Sequence, residues 1–282
     1  MSLLISLKQR IKVIETIRKT THAMRLISMS NNSRLRNKKA VLETYQQEIV
    51  RMTALVKHLV KMPEPIPTTD QTLLIIAGAQ KGLCGTFNIN LLRFIEQHFS
   101  QTDLTNYKII ALGKQLIGIL TLKKNISFYK TYPLFNQKNF ITHAHALVQE
   151  ILTLRYKNVI VIGNLPKTFF IQLPQKTVVF PLQETVNVPV KHDHEINAYE
   201  TAYEWEGDAH YIAEYLTTLH LQATVEMLLF QSLLAEQAAR FISMNAATHN
   251  AENVLDTMKL DYNKLRQATI TRELSDLTAG LI

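Results

Sequence analysis

The chain has 282 residues, of which 46% are hydrophobic and 19% charged, and its 31 Lys and Arg against 23 Asp and Glu give a net charge of +8. This composition is that of a globular protein and excludes disordered, collagen-like and low-complexity chains. A single cysteine, Cys84, excludes a disulfide scaffold and indicates a reducing compartment. The longest apolar run, Leu73 to Ala77, is far shorter than the roughly 20 residues of a membrane-spanning helix, so we expect no transmembrane segment.

Apart from Gly280, glycine and proline are confined to the middle of the chain, residues 63–207. Residues 1–62 and 208–279 contain neither, whereas all eight prolines lie between Pro63 and Pro189. Because both residues destabilise helix interiors, the two terminal segments permit very long helices. We therefore expect three parts: an N-terminal coiled-coil helix (1–62), a compact centre with its connections (63–207), and a C-terminal coiled-coil helix (208–282).

Apolar residues recur at helical spacing in the N-terminal segment. At 1.5 Å per residue this helix could approach ~90 Å, and the prolines that follow residue 62 would end it. A seven-residue repeat is typical of packing against one long partner helix. The first face consists of Leu7, Ile11, Ile14, Ile17, Thr21, Met24 and Ile27; after a polar stretch, one heptad position holds Leu35, Leu42, Ile49 and Val56, and another holds Tyr45, Met52 and Leu59.

The C-terminal segment carries a matching stripe, which predicts an antiparallel coiled coil between the two ends of the chain. Two helices of separate bundles are the alternative. Net charges of +10 for residues 1–62 and −4 for residues 208–282 favour the pairing and leave basic surface for an acidic partner. The stripe consists of Leu216, Leu219, Ala223, Met227, Phe230, Leu234, Phe241, Met244, Ala251, Leu255, Met258, Tyr262 and Leu265.

The centre alternates strand and helix patterns, which predicts an α/β domain with a largely parallel sheet. Residues 191–207 look like an irregular connection to the last helix. The predicted strands are 73–77, 107–112, 158–163 and 177–180, and the predicted helices are 89–99 and 140–156.

Candidate chemistry in the centre is weak. The loop from Gly78 to Thr86 follows a strand but matches neither a P-loop nor a dinucleotide-binding fingerprint. Cys84 has no assigned base, and the pairs His143/His145 and His192/His194 are interpreted as surface histidines rather than metal ligands. We therefore predict no catalytic residue, no metal site and no cofactor.

Three motifs, in order along the chain, resemble the gamma subunit family of F-type ATP synthases. Residues 19–24 (KTTHAM) are similar to the family's KIT-x-AM element, and residues 82–88 (GLCGTFN) to its GLCGGFN loop. Residues 232–251 and 262–274 closely resemble its C-terminal signature. Gln80-Lys81 and Thr86 depart from the family pattern, which has Asp-Arg before the loop and a second glycine after Cys84.

This resemblance implies a coiled-coil shaft with an inserted Rossmann-like α/β domain. The shaft would turn inside a ring of three alpha and three beta subunits, with the epsilon subunit and the membrane rotor ring at its foot, and would couple ion flow to ATP synthesis or hydrolysis without catalysing it. By motif match, the expected contacts to alpha or beta are Met24, Arg240, Arg266, Gln267, Thr271 and Glu273.

The resemblance further implies a peripheral membrane protein on the cytoplasmic face of a bacterial plasma (inner) membrane. Two other functions stay open from the residues alone. One is a basic coiled-coil adaptor or nucleic-acid-binding protein that uses the N-terminal helix. The other is an enzyme built on the α/β centre. Neither explains the C-terminal signature.

Overall fold

The computed structural model describes residues 2–59, 69–124, 126–182 and 208–279. The predicted end of the first helix at Pro63, the connection at 191–207 and the pair His192/His194 lie outside these residues. The elements are α1 (Ser2–Leu59), β1 (Thr69–Ala77), α2 (Phe87–His98), α3 (Gln101–Asn106), β2 (Lys108–Leu112), α4 (Lys114–Lys124), β3 (Lys130–Tyr132), α5 (Phe140–Leu154), β4 (Tyr156–Pro166), β5 (Gln172–Phe180) and α6 (Ala209–Ala279).

The two terminal helices are as long as the missing glycine and proline predicted. With 58 and 71 residues they measure about 90 Å and 105 Å at 1.5 Å per residue. The chain divides into two compact units: a helical unit, Met1–Ser30 with Arg240–Ile282, and an α/β unit, Asn31–Ala239.

In the helical unit, α1 and α6 run antiparallel. From one polar contact between the helices to the next, the residue numbers rise on α1 and fall on α6. The two helices therefore run in opposite directions, as predicted. These contacts are Glu15 with Lys259 at 3.8 Å, Arg18 with Glu252 at 3.8 Å, Thr21 with Thr248 at 3.0 Å, and Arg25 with Asn245 at 2.9 Å.

In the α/β unit, α1 and α6 also pair antiparallel. The side-chain amide of Asn32 donates to the carbonyl of Leu234 at 3.3 Å, and Val56 packs with Ala213 and Leu216. The predicted coiled coil of the terminal helices is therefore confirmed.

A strict heptad governs burial on α1, and part of the predicted face was wrong. Ile17, Met24, Ile27, Tyr45 and Met52 are 36–61% exposed. The seven-residue repeat of Leu35, Leu42, Ile49 and Val56 continues toward the N-terminus through polar residues. The five exposed apolar side chains lie outside this repeat and therefore face outward. Two heptad series are buried or half-buried at every position: Leu7, Ile14, Thr21, Ser28, Leu35, Leu42, Ile49 and Val56 form one, and Leu4, Ile11, Arg18, Arg25, Asn32, Lys39, Gln46 and Thr53 form the other.

The predicted stripe on α6 is confirmed throughout. All of its thirteen members, from Leu216 to Leu265, are buried or half-buried. Between residues 221 and 240 most other positions are buried as well. A helix that is apolar on several sides has neighbours on several sides, and in the α/β unit these are α1, α5 and the sheet.

The sheet of the α/β unit has the order β3-β2-β1-β4-β5, in which β5 alone is antiparallel to its neighbour. The prediction of a largely parallel sheet is confirmed. Alternate residues of β1 serve two cores, since side chains alternate across a strand. Leu73 and Ile75 pack with α5 and α6, whereas Leu74 and Ile76 pack with α2 and α4.

Gly113 occupies a position where a side chain cannot fit. Its φ of +99° lies in the left-handed region, and a Cβ there would lie 2.4 Å from the carbonyl oxygen of Gly78. Gly118 provides the contrast, since it lies inside α4 and a Cβ there would meet nothing within 4 Å.

We expect Gly113→Ala to destabilise the protein by more than the roughly 1–2 kcal/mol that a left-handed L-residue costs, because the clash adds to the strained φ. Gly118→Ala is the matched control and should stabilise the protein by up to about 1 kcal/mol, because alanine favours helix. Thermal unfolding followed by circular dichroism measures both changes. Equal melting temperatures for the two variants would contradict the assigned geometry.

Candidate partner-contact site

Met24 lies on the outer face of α1 in the helical unit. It is 36% exposed and shares this face with Val13, Ile17 and Ile27, which are 45–61% exposed. The spacings of three, four and seven residues place these side chains on one side of the helix, away from the partner α6. Met24 was expected to fill a seam position, and that expectation was wrong. Its exposed apolar row is instead available to another protein.

Four of the expected contact residues lie near the end of α6. Arg266, Gln267, Thr271 and Glu273 are all exposed. The Thr271 hydroxyl donates to the backbone carbonyl of Gln267 at 3.0 Å. The seam in this stretch uses Met258, Tyr262, Leu265 and Thr269, which are half-buried, so the four residues flank the seam and point to solvent.

Arg240 differs from the other five, because only 8% of its surface is exposed. It belongs to the densely buried part of α6 and has an interaction partner within the chain. Arg266, Gln267, Thr271 and Glu273 are therefore all exposed near the end of α6, with Arg266 and Glu273 on one side of the helix and Gln267 and Thr271 on another, whereas Arg240 is buried.

The loop that carries the GLCGTFN motif packs onto α6 in the α/β unit. Cys84, Ala79 and Phe87 form a buried cluster with Ala235 and Ala239. Leu83 and Gly85 adopt φ values of +62° and +60°, which turn the chain tightly before α2. The thiol of Cys84 lies 3.8 Å from the carbonyl oxygen of Lys81. This loop therefore packs against α6 through small and apolar side chains.

Two buried asparagines fix the same loop. The Asn88 side-chain oxygen accepts a hydrogen bond from the backbone N–H of Ala79 at 3.0 Å, and the Asn164 amide donates to the carbonyl of Phe87 at 3.1 Å. Because both amides are buried, their hydrogen bonds specify the loop conformation. Asn88, the asparagine of the GLCGTFN motif, therefore has a structural role: it holds the backbone of this loop in place.

A polar cluster joins α5 to α6 in the α/β unit. Nε2 of His145 lies 3.2 Å from Oε1 of Glu226 and 2.8 Å from the amide nitrogen of Gln222, which donates to the same carboxylate at 3.0 Å. His143, two residues earlier, bonds instead to the carbonyl of Leu134 at 2.7 Å. The two histidines therefore diverge, and the segments that the structure describes hold no cluster of three or more His, Cys, Asp or Glu that could bind a metal.

Three side chains in the α/β unit, Tyr45, Tyr156 and His220, have pKa values shifted in the direction that favours the uncharged form. Burial, and then the carboxylate of Glu226 and the phenol of Tyr215, raise the pKa of Tyr45. Burial, and then Tyr129 and Glu150, raise the pKa of Tyr156 to about 12, and burial lowers the pKa of His220. The phenols therefore stay protonated and the imidazole of His220 stays neutral near pH 7.

Sequence reasoning missed the polar residues of the seam. Ser28 and Asn32 are 1% and 2% exposed, although the polar stretch that contains them looked like an interruption of the heptad. Counting back in sevens from Leu35 would have placed Ser28 in the seam, together with Thr21, which the predicted face already contained. The second signal was the exposed row on α1, since Ile17, Met24 and Ile27 had been assigned to the buried face although they lie on one side of the helix with Val13.

Comparisons with known proteins agree over nearly the whole chain. The sequence model described as ATP synthase matches residues 4–281. An ATP synthase gamma chain of Mycoplasmopsis synoviae is 30% identical over 291 residues, covering 99% of this chain and 98% of that protein. The gamma chain of Rickettsia canadensis is 27% identical over 298 residues, covering 99% of each.

Solved structures show the same fold at low identity. A chain in the mitochondrial ATP synthase of Euglena gracilis, in rotational state 3, aligns with a TM-score of 0.70 and 13% identity, covering 99% of this chain and 94% of that one. A chain of the central stalk and c-ring of Tetrahymena thermophila mitochondrial ATP synthase aligns with a TM-score of 0.55 and 19% identity, covering 81% and 99%.

Within the described ranges, no helix combines the length and apolarity needed to cross a bilayer. No comparison supports the adaptor or nucleic-acid-binding alternative. Because the ATP synthase model matches nearly the full length and a curated gamma chain is 30% identical across it, this chain belongs to the ATP synthase gamma-chain family, whose members are the non-catalytic central-stalk subunits of that enzyme.

Proposed function

We propose that this chain turns as the shaft of a rotary ATP synthase inside a ring of three alpha and three beta subunits. The single observation that supports this most directly is the antiparallel pairing of two helices of 58 and 71 residues without an internal glycine or proline. Continuous helix hydrogen bonding resists bending, which a shaft that transmits torque requires. The epsilon subunit and the membrane rotor ring are the proposed partners at the foot of the shaft.

The proposed contacts to the ring are Met24, Arg240, Arg266, Gln267, Thr271 and Glu273. Exposure supports five of them, and the apolar row beside Met24 gives that contact an area larger than one side chain. Arg240 is only 8% exposed, and we propose that it contacts the ring through this small exposed part of its surface. The +10 net charge of residues 1–62 fits acidic loops on the beta subunits.

The proposed location is the cytoplasmic face of a bacterial plasma (inner) membrane, where the chain would be peripheral. The bacterial origin of the curated relatives supports this assignment. The proposed working parts are residues 1–62 and 208–282 as the shaft and residues 63–207 as the foot. This functional division is separate from the two compact units described above.

The shaft role is tested by co-expressing this chain with the alpha and beta subunits of the same genome. Purification through a tag on this chain, followed by native mass spectrometry, should yield a complex of three alpha, three beta and one copy of this chain. Sustained ATP hydrolysis should require it. A chain that purifies alone, or hydrolysis that is unaffected when the chain is omitted, would contradict the proposal.

Leu255→Pro should uncouple the enzyme. Leu255 is 3% exposed in the seam of the helical unit, and a proline there removes a helix hydrogen bond and kinks α6 at a cost of ~3 kcal/mol or more. Leu255→Met keeps the volume and should stay coupled. Proton-driven ATP synthesis in membrane vesicles measures the difference. Normal synthesis with Leu255→Pro would rule out a stiff shaft.

Arg266→Glu should slow turnover and leave the fold intact, because Arg266 is exposed and contributes no core packing. Lys114→Glu is the matched control: the same charge reversal at an exposed position at the start of α4, outside α6. Steady-state ATPase rates of the assembled complexes compare the two, with circular dichroism as the check on folding. Equal rates for both variants would refute a specific contact at Arg266.

A further inference from the structure

Three polar side chains meet where α5 packs against α6 in the α/β unit. We define the polar triangle as Nε2 of His145, the side-chain amide of Gln222 and Oε1 of Glu226. His145 lies 2.8 Å from Gln222 and 3.2 Å from Glu226, and Gln222 lies 3.0 Å from Glu226. Gln222 and Glu226 are one turn apart on α6, so they share a face of that helix, and His145 reaches both from α5.

Hydrogen bonds alone do not satisfy the polar triangle while Glu226 is a carboxylate. If Nε2 of His145 carries a proton, two N–H donors, those of His145 and Gln222, lie 2.8 Å apart. If Nε2 carries a lone pair instead, it lies 3.2 Å from the carboxylate oxygen, and both atoms are acceptors. Exchanging the nitrogen and oxygen of the Gln222 amide places two acceptor oxygens 3.0 Å apart. Each arrangement therefore leaves one repulsive contact.

A metal cation removes this conflict, because an imidazole nitrogen, an amide oxygen and a carboxylate oxygen can all direct lone pairs at it. Nitrogen and oxygen ligands bind zinc at about 2.0–2.2 Å. At these bond lengths, two ligands that meet the metal at a right angle are about 3.0 Å apart, and two ligands at a tetrahedral angle are about 3.3 Å apart. The separations of 2.8–3.2 Å in the polar triangle match ligands on one side of such an ion.

Burial holds one ligand in place and exposure leaves a path for the ion. The side chain of Glu226 is 9% exposed, whereas that of His145 is 54% exposed. An ion can therefore reach the triangle from the His145 side, where water can fill its remaining coordination positions. Within residues 2–59, 69–124, 126–182 and 208–279, Glu226 forms an ion pair with His145 and with no Lys or Arg, so a bound cation would meet no competing ammonium or guanidinium group.

The donor set indicates which metal fits. An imidazole ligand suits zinc and other first-row transition ions, whereas Mg²⁺ and Ca²⁺ prefer oxygen ligands. The triangle contains no sulfur, which disfavours Cu⁺. Zn²⁺ has no geometric preference from its d electrons, so it accepts three ligands on one side and water on the other. The triangle is not a cluster of three His, Cys, Asp or Glu, because its third ligand is an amide.

We propose that the polar triangle binds one Zn²⁺ ion through Nε2 of His145, the amide oxygen of Gln222 and the carboxylate of Glu226. The ion joins α5 to the stretch of α6 that covers the sheet, so its binding free energy adds to the stability of the folded chain. The site does not depend on the proposed shaft role, because all three ligands belong to one compact unit of this chain. It can therefore be tested on the full-length chain by itself.

The direct test titrates Zn²⁺ into the full-length chain after treatment with a chelator, followed by isothermal titration calorimetry. The tightest site should bind one ion per chain. His145→Ala and Glu226→Gln should each weaken it by about tenfold or more, at least the loss that follows removal of an outer-shell partner. His143→Ala is the matched control: this histidine is also on α5 but bonds to the carbonyl of Leu134, and its loss should not change zinc affinity. Unchanged affinity in His145→Ala and Glu226→Gln would overturn the proposal.

The variant Gln222→Glu separates a metal site from a cluster that is only hydrogen-bonded. Without zinc, the two carboxylates at positions 222 and 226 repel each other and should lower the melting temperature. With zinc, a carboxylate is a stronger ligand than an amide, so affinity should rise by about tenfold. Gln115→Glu makes the same charge change at an exposed position on α4 and should alter neither quantity. A Gln222→Glu chain that binds zinc no more tightly than the natural chain would contradict a metal site.

Stability and spectroscopy give independent readouts. Zn²⁺ at 100 times its dissociation constant should raise the melting temperature of the natural chain by about 5 °C or more and leave that of His145→Ala unchanged, whereas Mg²⁺ should raise neither. X-ray absorption at the zinc edge should show nitrogen and oxygen ligands at about 2.0–2.2 Å, including one imidazole. An equal rise in melting temperature for both chains, a second imidazole or a sulfur ligand would place the ion elsewhere and refute the site.

Discussion

The α/β unit depends on the burial of one stretch of α6, residues 221–239, against three neighbours at once. Val225, Leu229 and Phe230 share a core with α5 and with one face of the sheet, and Leu35 of α1 joins the same cluster. A side chain in this stretch therefore contributes to sheet packing and to helix pairing together. Removing this helix would expose the apolar side chains of the sheet face that it covers together with α5, at a cost of about 25 cal/mol per Å² of apolar surface exposed.

Close approach of α6 to the sheet is possible because the residues between them are small. The Ser232 hydroxyl donates to the carbonyl of Ala77 at 3.2 Å, and a Cβ on Gly163 would lie 3.5 Å from the Cβ of Ser232. The hydrogen bond uses the end of β1, where the strand leads into the motif loop. The same stretch of helix then packs Ala235 and Ala239 against Cys84 and Phe87. Sheet, loop and helix thus fix one another.

Much of the architecture could be predicted from the spacing of apolar residues, because a long helix has enough positions for the pattern to be clear despite single exceptions. The heptad of Leu35, Leu42, Ile49 and Val56 and the stripe on α6 were predicted correctly for this reason. Ile17, Met24 and Ile27 were placed on the wrong face, because hydrophobicity was read without requiring the seven-residue phase to continue through Ser28. The helix α4 was missed because Gly118 lies inside it, and β3 was missed because it has only three residues.

The candidate site could be predicted only through motif resemblance. Nothing in hydrophobicity or charge distinguishes Arg266 from Lys264, and exposure shows only that both can reach a partner. Arg240 is the opposite case, since its burial depends on tertiary packing that a single sequence does not reveal. Phe170, in the turn between β4 and β5, lies between these cases: the residue is visible in the sequence, but its exposure of 73% becomes visible only when the hairpin closes.

The packing of Cys84 has a practical consequence for optical experiments on this molecule. It is the chain's one cysteine, and it is 5% exposed within the loop that packs onto α6. Thiol-reactive dyes modify accessible thiolates, so a buried thiol in an apolar cluster reacts slowly. The natural chain therefore serves as a nearly silent background into which a single surface cysteine can be introduced for attaching a fluorophore or a bead.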